Sequence, residues 1–270
     1  MIKYNFNERT AMLPLLDAYL AMSFAEKFRT ALEVGVYKGG WLFTLIDNNL
    51  NIFIVGIDPY PNLEVIKENF INEIREHKFS DRMQLYSSFN DLSNSAHKNL
   101  TYDIIHIDGE HSESQVLRDL NNALPLLDKD GLLVVDDIFY HSYPGVTAST
   151  FSFIHKNKLS PFLFTEKKMY FCYPNNYETY YKSTISFLKL SKTSYEESLK
   201  AQFGTSYKQS NAIFGHDLII TSSNPTRIEI RNLNKTLGVK LPLVLKIKNA
   251  IRFSIPSGLL EMFKSLKAKV

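Results

Sequence analysis

Cysteine is almost missing from this chain. The single one, Cys172, excludes an internal disulfide framework and points to a reducing compartment. No uncharged apolar run approaches the roughly 18 residues that a membrane-spanning helix needs. The opening residues, Met1 to Arg9, lack the charged-then-apolar layout of a secretion signal, so a cytoplasmic location is expected. Neither sign of charge dominates. A net +3 is too small to argue for nucleic acid, and no such partner is expected. Internal repeats and low-complexity segments are missing too. What is present is core-forming material: 270 residues, 44% hydrophobic and 13% aromatic, enough for one sizeable domain with an appendage.

Hydrophobic periodicity organises the chain into alternating elements. Apolar residues at helical spacing, Met12, Leu15, Leu16, Tyr19, Leu20 and Phe24, predict an N-terminal helical segment over 1–29, kinked or started at Pro14. Strands are expected at 30–36, 52–58, 83–87, up to Asp108, and from Leu132 to Asp137 after an Asp130-Gly131 turn. Helices are expected between them, after Gly39, after Pro61, from Glu113 and from Pro144. Ser112-Glu-Ser-Gln115 has capping-box spacing at the third of these helix starts. A hairpin, Phe162 to Glu166 and Met169 to Tyr173, closes one edge. The expected fold is α/β, a doubly wound Rossmann-like sheet of seven strands, five parallel plus that edge hairpin, filling 30–174. Beyond it lie an α+β extension over 175–235, with helical patterns at 177–190 and 195–203 and strand-like stretches at 217–221 and 227–230, and a basic amphipathic tail over 236–270.

Three motifs sit where such a sheet opens its crevice, at the carboxyl ends of the strands. Glu33-x-Gly35-x-x-x-Gly39-Gly40 follows the first strand. Dinucleotide sites use G-x-G-x-x-G here, and this spacing with an acid ahead of it points away from a pyrophosphate and toward a cationic ligand group. A strand-to-helix turn needs glycine in any case. Asp58 closes the second strand, where one carboxylate can hold a ribose diol, although aspartate before proline is also an ordinary strand terminator. Asp108, Asp136 and Asp137 end what should be neighbouring strands. Three such carboxylates repel one another unless a cation lies between them or one is protonated, and all-oxygen ligands favour Mg²⁺ or another hard divalent ion. Adjacent residues on a regular strand face opposite ways, so Asp136 and Asp137 can share an ion only if the strand has ended; otherwise one of them is a cap or a solvated acid. His111 falls in the short loop between Asp108 and the next helix, and it is the candidate general base. His106 reads as structural, and His141 as a weaker catalytic candidate.

The stretches Leu32-Glu-Val-Gly-Val-Tyr-Lys-Gly-Gly40, His106-Ile-Asp-Gly-Glu-His111 and Val134-Val-Asp-Asp137, with Pro144-Gly-Val146 after them, resemble one family. The chain from Ala31 to Tyr173 is similar to class I S-adenosylmethionine-dependent methyltransferases, in particular the metal-dependent sugar O-methyltransferases that modify macrolide and aminocoumarin antibiotics. The resemblance implies that Gly35, Tyr37 and Gly39 lie against the methionine part of the cofactor, with Glu33 near its ammonium and Asp58 on its ribose. Ser87 and Ser88 would meet the adenine. It further implies Asp108, Asp136 and Asp137 as metal ligands and His111 as base, with a sugar hydroxyl of a glycan or glycosylated metabolite as acceptor. Two other functions fit the same residues: a metal-independent O-methyltransferase for a small hydroxylated acceptor, and a methyltransferase fold kept as a non-catalytic scaffold.

The tail from Lys235 to Val270 carries eight basic residues against the single acid Glu261, interleaved with Leu, Ile, Val and Phe. Such a segment can lie on an anionic membrane, which would place the protein at the inner face, or it can pack as helices with a solvated basic face. The N-terminal segment could pad the sheet, cover the ligand mouth or join two copies in a homo-oligomer.

Overall fold

The computed structural model describes residues 24, 27–49, 51–165, 167–191 and 212–221. Five parallel strands alternate with helices as the sequence predicts: β1 (Thr30–Val34), α1 (Gly40–Asn48), β2 (Phe53–Ile57), α2 (Glu64–Glu76), β3 (Met83–Tyr86), α3 (Phe89–Ser93), β4 (Tyr102–Ile107), α4 (Glu113–Ala123) and β5 (Leu127–Val135). After α5 (Pro144–Asn157) the chain forms β6 (Ser160–Phe164) and β7 (Met169–Cys172), then α6 (Tyr177–Ser191). Three two-residue strands close the described part: β8 (Ala212–Ile213) and β9 (His216–Asp217), which pair with each other, and β10 (Ile219–Ile220).

The main sheet has eight strands in the order β10-β6-β7-β5-β4-β1-β2-β3. The reversal from β1 outward to β2 on one side and β4 on the other is the switch point at which doubly wound sheets open a crevice. The hairpin is antiparallel, as expected, but it is not the edge: β10 runs parallel to β6 beyond it. The strand-like pattern at 217–221 therefore feeds the main sheet. Helix α6 also packs on it, burying Tyr180 and Leu188 in the core. Asp130-Gly131 lies inside β5, at an irregularity in its pairing with β4, and not in a turn ahead of it.

Period-two alternation sorts the strands into two cores. Leu32, Val34, Ile105, Ile107, Leu133 and Val135 pack on the face covered by α4 and α5, while Ala31, Ile104, Leu132 and Val134 pack on the face covered by α1. Glu33 and His106 fall in the second set, so two polar residues are buried there, at 3% and 1% exposure. A buried polar pair needs partners, and its position in register supplies them. Most of the N-terminal helical segment, the patterns at 195–203 and 227–230, and the whole basic tail lie outside the described residues. Among the described residues, no helix is long and apolar enough to cross a membrane.

Candidate active site

Register brings the site together. Val34, Ile107 and Val135 are neighbours across β1, β4 and β5, and Val135 faces Met169 of β7. One residue further on, the ladder places Asp108 beside Asp136 and Asp136 opposite Lys168. Two backbone bonds extend that ladder past the strands: Asp108 N donates to Val34 O at 2.8 Å and Asp136 N to Ile107 O at 3.0 Å. The carboxyl ends of three strands thus deliver their acids to one spot, beside a cavity of about 750 Å³ that Glu33, Gly35, Asp58, Asp108, His111 and Lys168 all line.

One half of the cavity lies over β1 and β2. Gly35 has φ +87°, and a Cβ there would lie 2.0 Å from the carbonyl oxygen of Asp108. No residue with a side chain fits between the two loops. Gly39, also left-handed at φ +72°, is not among the residues lining the cavity; a Cβ there would strike the Phe70 ring at 2.3 Å. Its glycine is required by packing at the start of α1. Asp58 accepts from Tyr37 N at 2.8 Å and from Tyr60 N at 2.7 Å, one on each carboxylate oxygen, and Tyr60 Oη donates to Tyr37 O at 2.8 Å. These bonds hold the loops after β1 and β2 together around an acid that still borders the cavity. Ser87 and Ser88 border it as well, with Ser88 Oγ accepting from Asp91 N at 3.2 Å as the cap of α3.

The other half is crowded with charge. His111 Nε2 lies 3.0 Å from Asp137 Oδ2 and 4.0 Å from Asp108 Oδ1. Its ring stacks on Tyr143 at 4.0 Å between centroids and 6° between planes. Strand β5 has ended at Val135, and Asp137 takes φ +55°, so the two adjacent acids diverge. Asp137 turns to His111 and to Lys167 Nζ at 3.5 Å. Asp136 turns to the buried Lys168 ammonium and accepts from Asp137 N at 2.7 Å. Helix α4 starts at Glu113 as predicted, but Ser112 makes no side-chain cap; Gln115 instead donates to Asp119 Oδ1 at 2.8 Å. His141 is exposed, touching the Tyr140 ring.

Lys168 was not legible as a site residue. It is 1% exposed, and its Nζ reaches His106 Nε2 at 2.9 Å as well as Asp136. An ammonium only donates, so Nε2 accepts and Nδ1 carries the proton. That proton goes to Glu33 Oε1 at 2.9 Å, under Trp41, which stacks on His106 at 4.8 Å. The result is a four-residue chain from Asp136 to Glu33, and its last atom, Glu33 Oε2, is buried without a partner among the described residues. Burial lowers the His106 pKa well below the imidazole range, helped by Lys168. Burial and then Asp108 raise Glu33 well above the usual carboxylate range, and burial and then Asp136 do the same to Asp108. Asp136 goes the other way. Burial opposes its ionisation, but Lys168 and His106 hold it well below the range.

Two triads have ligand atoms within 4.8 Å of one another: His106, Asp108 and Asp136, and Asp108, His111 and Asp137. The donor set is mostly carboxylate oxygen with one imidazole nitrogen, and burial with mutual repulsion among the acids outweighs the nearby Lys168 at Glu33 and Asp108, so a further cationic ligand suits this part of the cavity.

Residues 32–138 match the family described as "Methyltransferase domain". An uncharacterized protein of Acanthamoeba polyphaga mimivirus is 29% identical over 174 residues, which span 58% of this chain and 73% of that protein. Among solved structures, a candidate caffeoyl-CoA O-methyltransferase of Staphylococcus aureus superposes with a TM-score of 0.50 at 14% identity, covering 58% of this chain and 83% of that one. An O-methyltransferase of Bacillus cereus in complex with SAH gives a TM-score of 0.47 at 15% identity over 60% of this chain and 85% of its own. At such identities the structural likeness is one of fold, and the sequence match supplies the activity. Over residues 32–138 the chain matches a methyltransferase domain, and that match supports an S-adenosylmethionine-dependent methyltransferase.

Proposed function

We propose that the protein is a divalent-metal-dependent O-methyltransferase that modifies a sugar hydroxyl of a glycan or glycosylated metabolite, with His111 as the general base. The observation that carries this reading is the convergence of Asp108, His111 and Asp137, whose ligand atoms lie within 4.8 Å at the edge of the donor cavity. Sugar as the acceptor rests on the sequence pattern Asp108-x-x-His111 with Asp136-Asp137. On the donor side, the free Glu33 Oε2 faces a need for a cationic partner that the ammonium of S-adenosylmethionine meets. Asp58 can add ribose hydroxyls to the two backbone donors it already holds.

Methyl transfer is an in-line displacement: the acceptor oxygen bonds the methyl carbon, the carbon–sulfur bond breaks, and S-adenosylhomocysteine leaves. The acceptor proton has to go to a base. The His111 ring takes it, and Asp137 Oδ2, 3.0 Å from Nε2, stabilises the imidazolium that forms. Tyr143 holds the ring plane by stacking. Asp108 and Asp137 are the residues that would hold a divalent ion, which supplies Lewis acidity that lowers the pKa of a coordinated hydroxyl. Turnover of a panel of nucleotide sugars and surface polysaccharides with labelled S-adenosylmethionine should require Mg²⁺ and stop in EDTA.

One observation favours a second reading. Lys168 already places a cation among the acids, which a metal-independent O-methyltransferase could use. Full turnover in EDTA selects that reading over the first.

A further inference from the structure

Of the two triads, only one is open to an ion. In the first, His106, Asp108 and Asp136, the Lys168 nitrogen lies between His106 Nε2 and Asp136 Oδ2 and bonds both. In the second, Asp108, His111 and Asp137, no lysine is buried; Lys167 reaches Asp137 from the surface, on its other oxygen, with a side chain 40% exposed. We propose that the Lys168 ammonium is the resident cation of this acid cluster: it withholds Asp136 from a divalent ion and confines any such ion to Asp108 and Asp137, beside His111. Lys168 is then a positioning residue, acting on the acceptor side through Asp136 and on the donor side through His106 and Glu33.

The argument is one of geometry and Coulomb's law. Asp136 is paired on Oδ2 by Lys168 and accepts from Asp137 N on Oδ1, so its charge is already balanced by a buried ammonium. Recruiting it would require the ion to displace a lysine that is 1% exposed and is also bonded to His106 Nε2. A lysine and a divalent ion sharing one carboxylate at this depth repel strongly, because the medium screens little. Asp137 escapes the conflict through its backbone. The left-handed turn at φ +55° aims it away from β7, toward His111. The tandem acids thus divide their labour: Asp136 neutralises the internal cation, and Asp137 faces the ion and the base.

This inference rests on the metal-dependent reading only in naming the ion. The two are separated by calorimetric titration of the full chain with Mn²⁺, using native protein and the variants Asp136→Asn, Asp137→Asn, Lys168→Met and Lys168→Met/Asp136→Asn, each first shown to bind S-adenosylhomocysteine. In the native background, Asp137→Asn should weaken Mn²⁺ binding by roughly a hundredfold and Asp136→Asn by less than about tenfold. Lys168→Met should tighten binding by about tenfold or more, and only in that background should Asp136→Asn cost as much as Asp137→Asn. Equal losses for the two asparagine variants in the native background overturn the inference and leave metal dependence standing. Mn²⁺ binding by Lys168→Met but not by the native chain sustains the inference and overturns metal dependence. No binding by any of the proteins overturns both. Should Lys168→Met fail to fold, the contrast between Asp136→Asn and Asp137→Asn decides alone.

Discussion

The two halves of the cavity are built by different means. Over β1 and β2 the shape is set by backbone: Gly35 lies against the Asp108 carbonyl, and Asp58 ties two loops through their N–H groups. Over β4 and β5 it is set by charge: Asp108, Asp136 and Asp137 are balanced against Lys167, Lys168 and His111. A site made by backbone is rigid and tolerant of conservative change at its rim. One made by opposed charges depends on every member. Variants in the two halves should therefore fail differently, in donor affinity on one side and in turnover on the other.

The largest effect expected is that of Asp137→Asn, which removes both the partner of His111 and the open acid of the cluster. Turnover should fall beyond detection while calorimetry still shows S-adenosylhomocysteine binding; loss of donor binding would erase the proposed division. His111→Ala comes next, with a rate about 10²–10⁴-fold lower and donor affinity unchanged. Retention of full rate would remove it as the base. On the other side, Asp58→Ala should raise the dissociation constant of S-adenosylhomocysteine by about tenfold or more through the loss of charge-assisted bonds, with a smaller effect on the rate at saturating donor.

The smallest effect concerns Asp119, which faces the cavity from α4. Burial pushes its pKa up to about 6, against the Gln115 bond, which favours the ionised form. A carboxyl raised in the folded state contributes stability below its unfolded pKa and loses it as pH rises through the folded one. Asp119→Asn should thus be more stable than the native chain at pH 8, by about 2 kcal/mol in urea denaturation, with the difference gone below about pH 4. A gap that persists at pH 4 would show that packing, not charge, is responsible.

The contrast also explains what could be read in advance. Asp58, Asp108 and Asp137 are legible because an apolar run that stops on an acid marks a strand end, and strand ends are where α/β sheets bind ligands. Gly35 is legible as a glycine that must remain one, although the neighbour that forbids a side chain, the Asp108 carbonyl, sits 73 residues away on another strand. Lys168 is not legible. Its value arises from the antiparallel pairing of β7 with β5, in which Val135 faces Met169, and no local pattern announces that register. The same register separates Asp136 from Asp137, two residues that look equivalent as letters. Ser112 and Gln115 show the opposite error: their spacing suits a capping box, but Asp119 competes for the glutamine and wins.

The contact at Gly35 has one more consequence. Because a side chain at Gly35 would strike the peptide that carries Asp108, the loop after β1 and the mount of that acid are a single piece of scaffold. On the proposed function, any displacement that the methyl donor imposes on this loop is passed to Asp108 without slack, so donor arrival and acceptor alignment become one mechanical event.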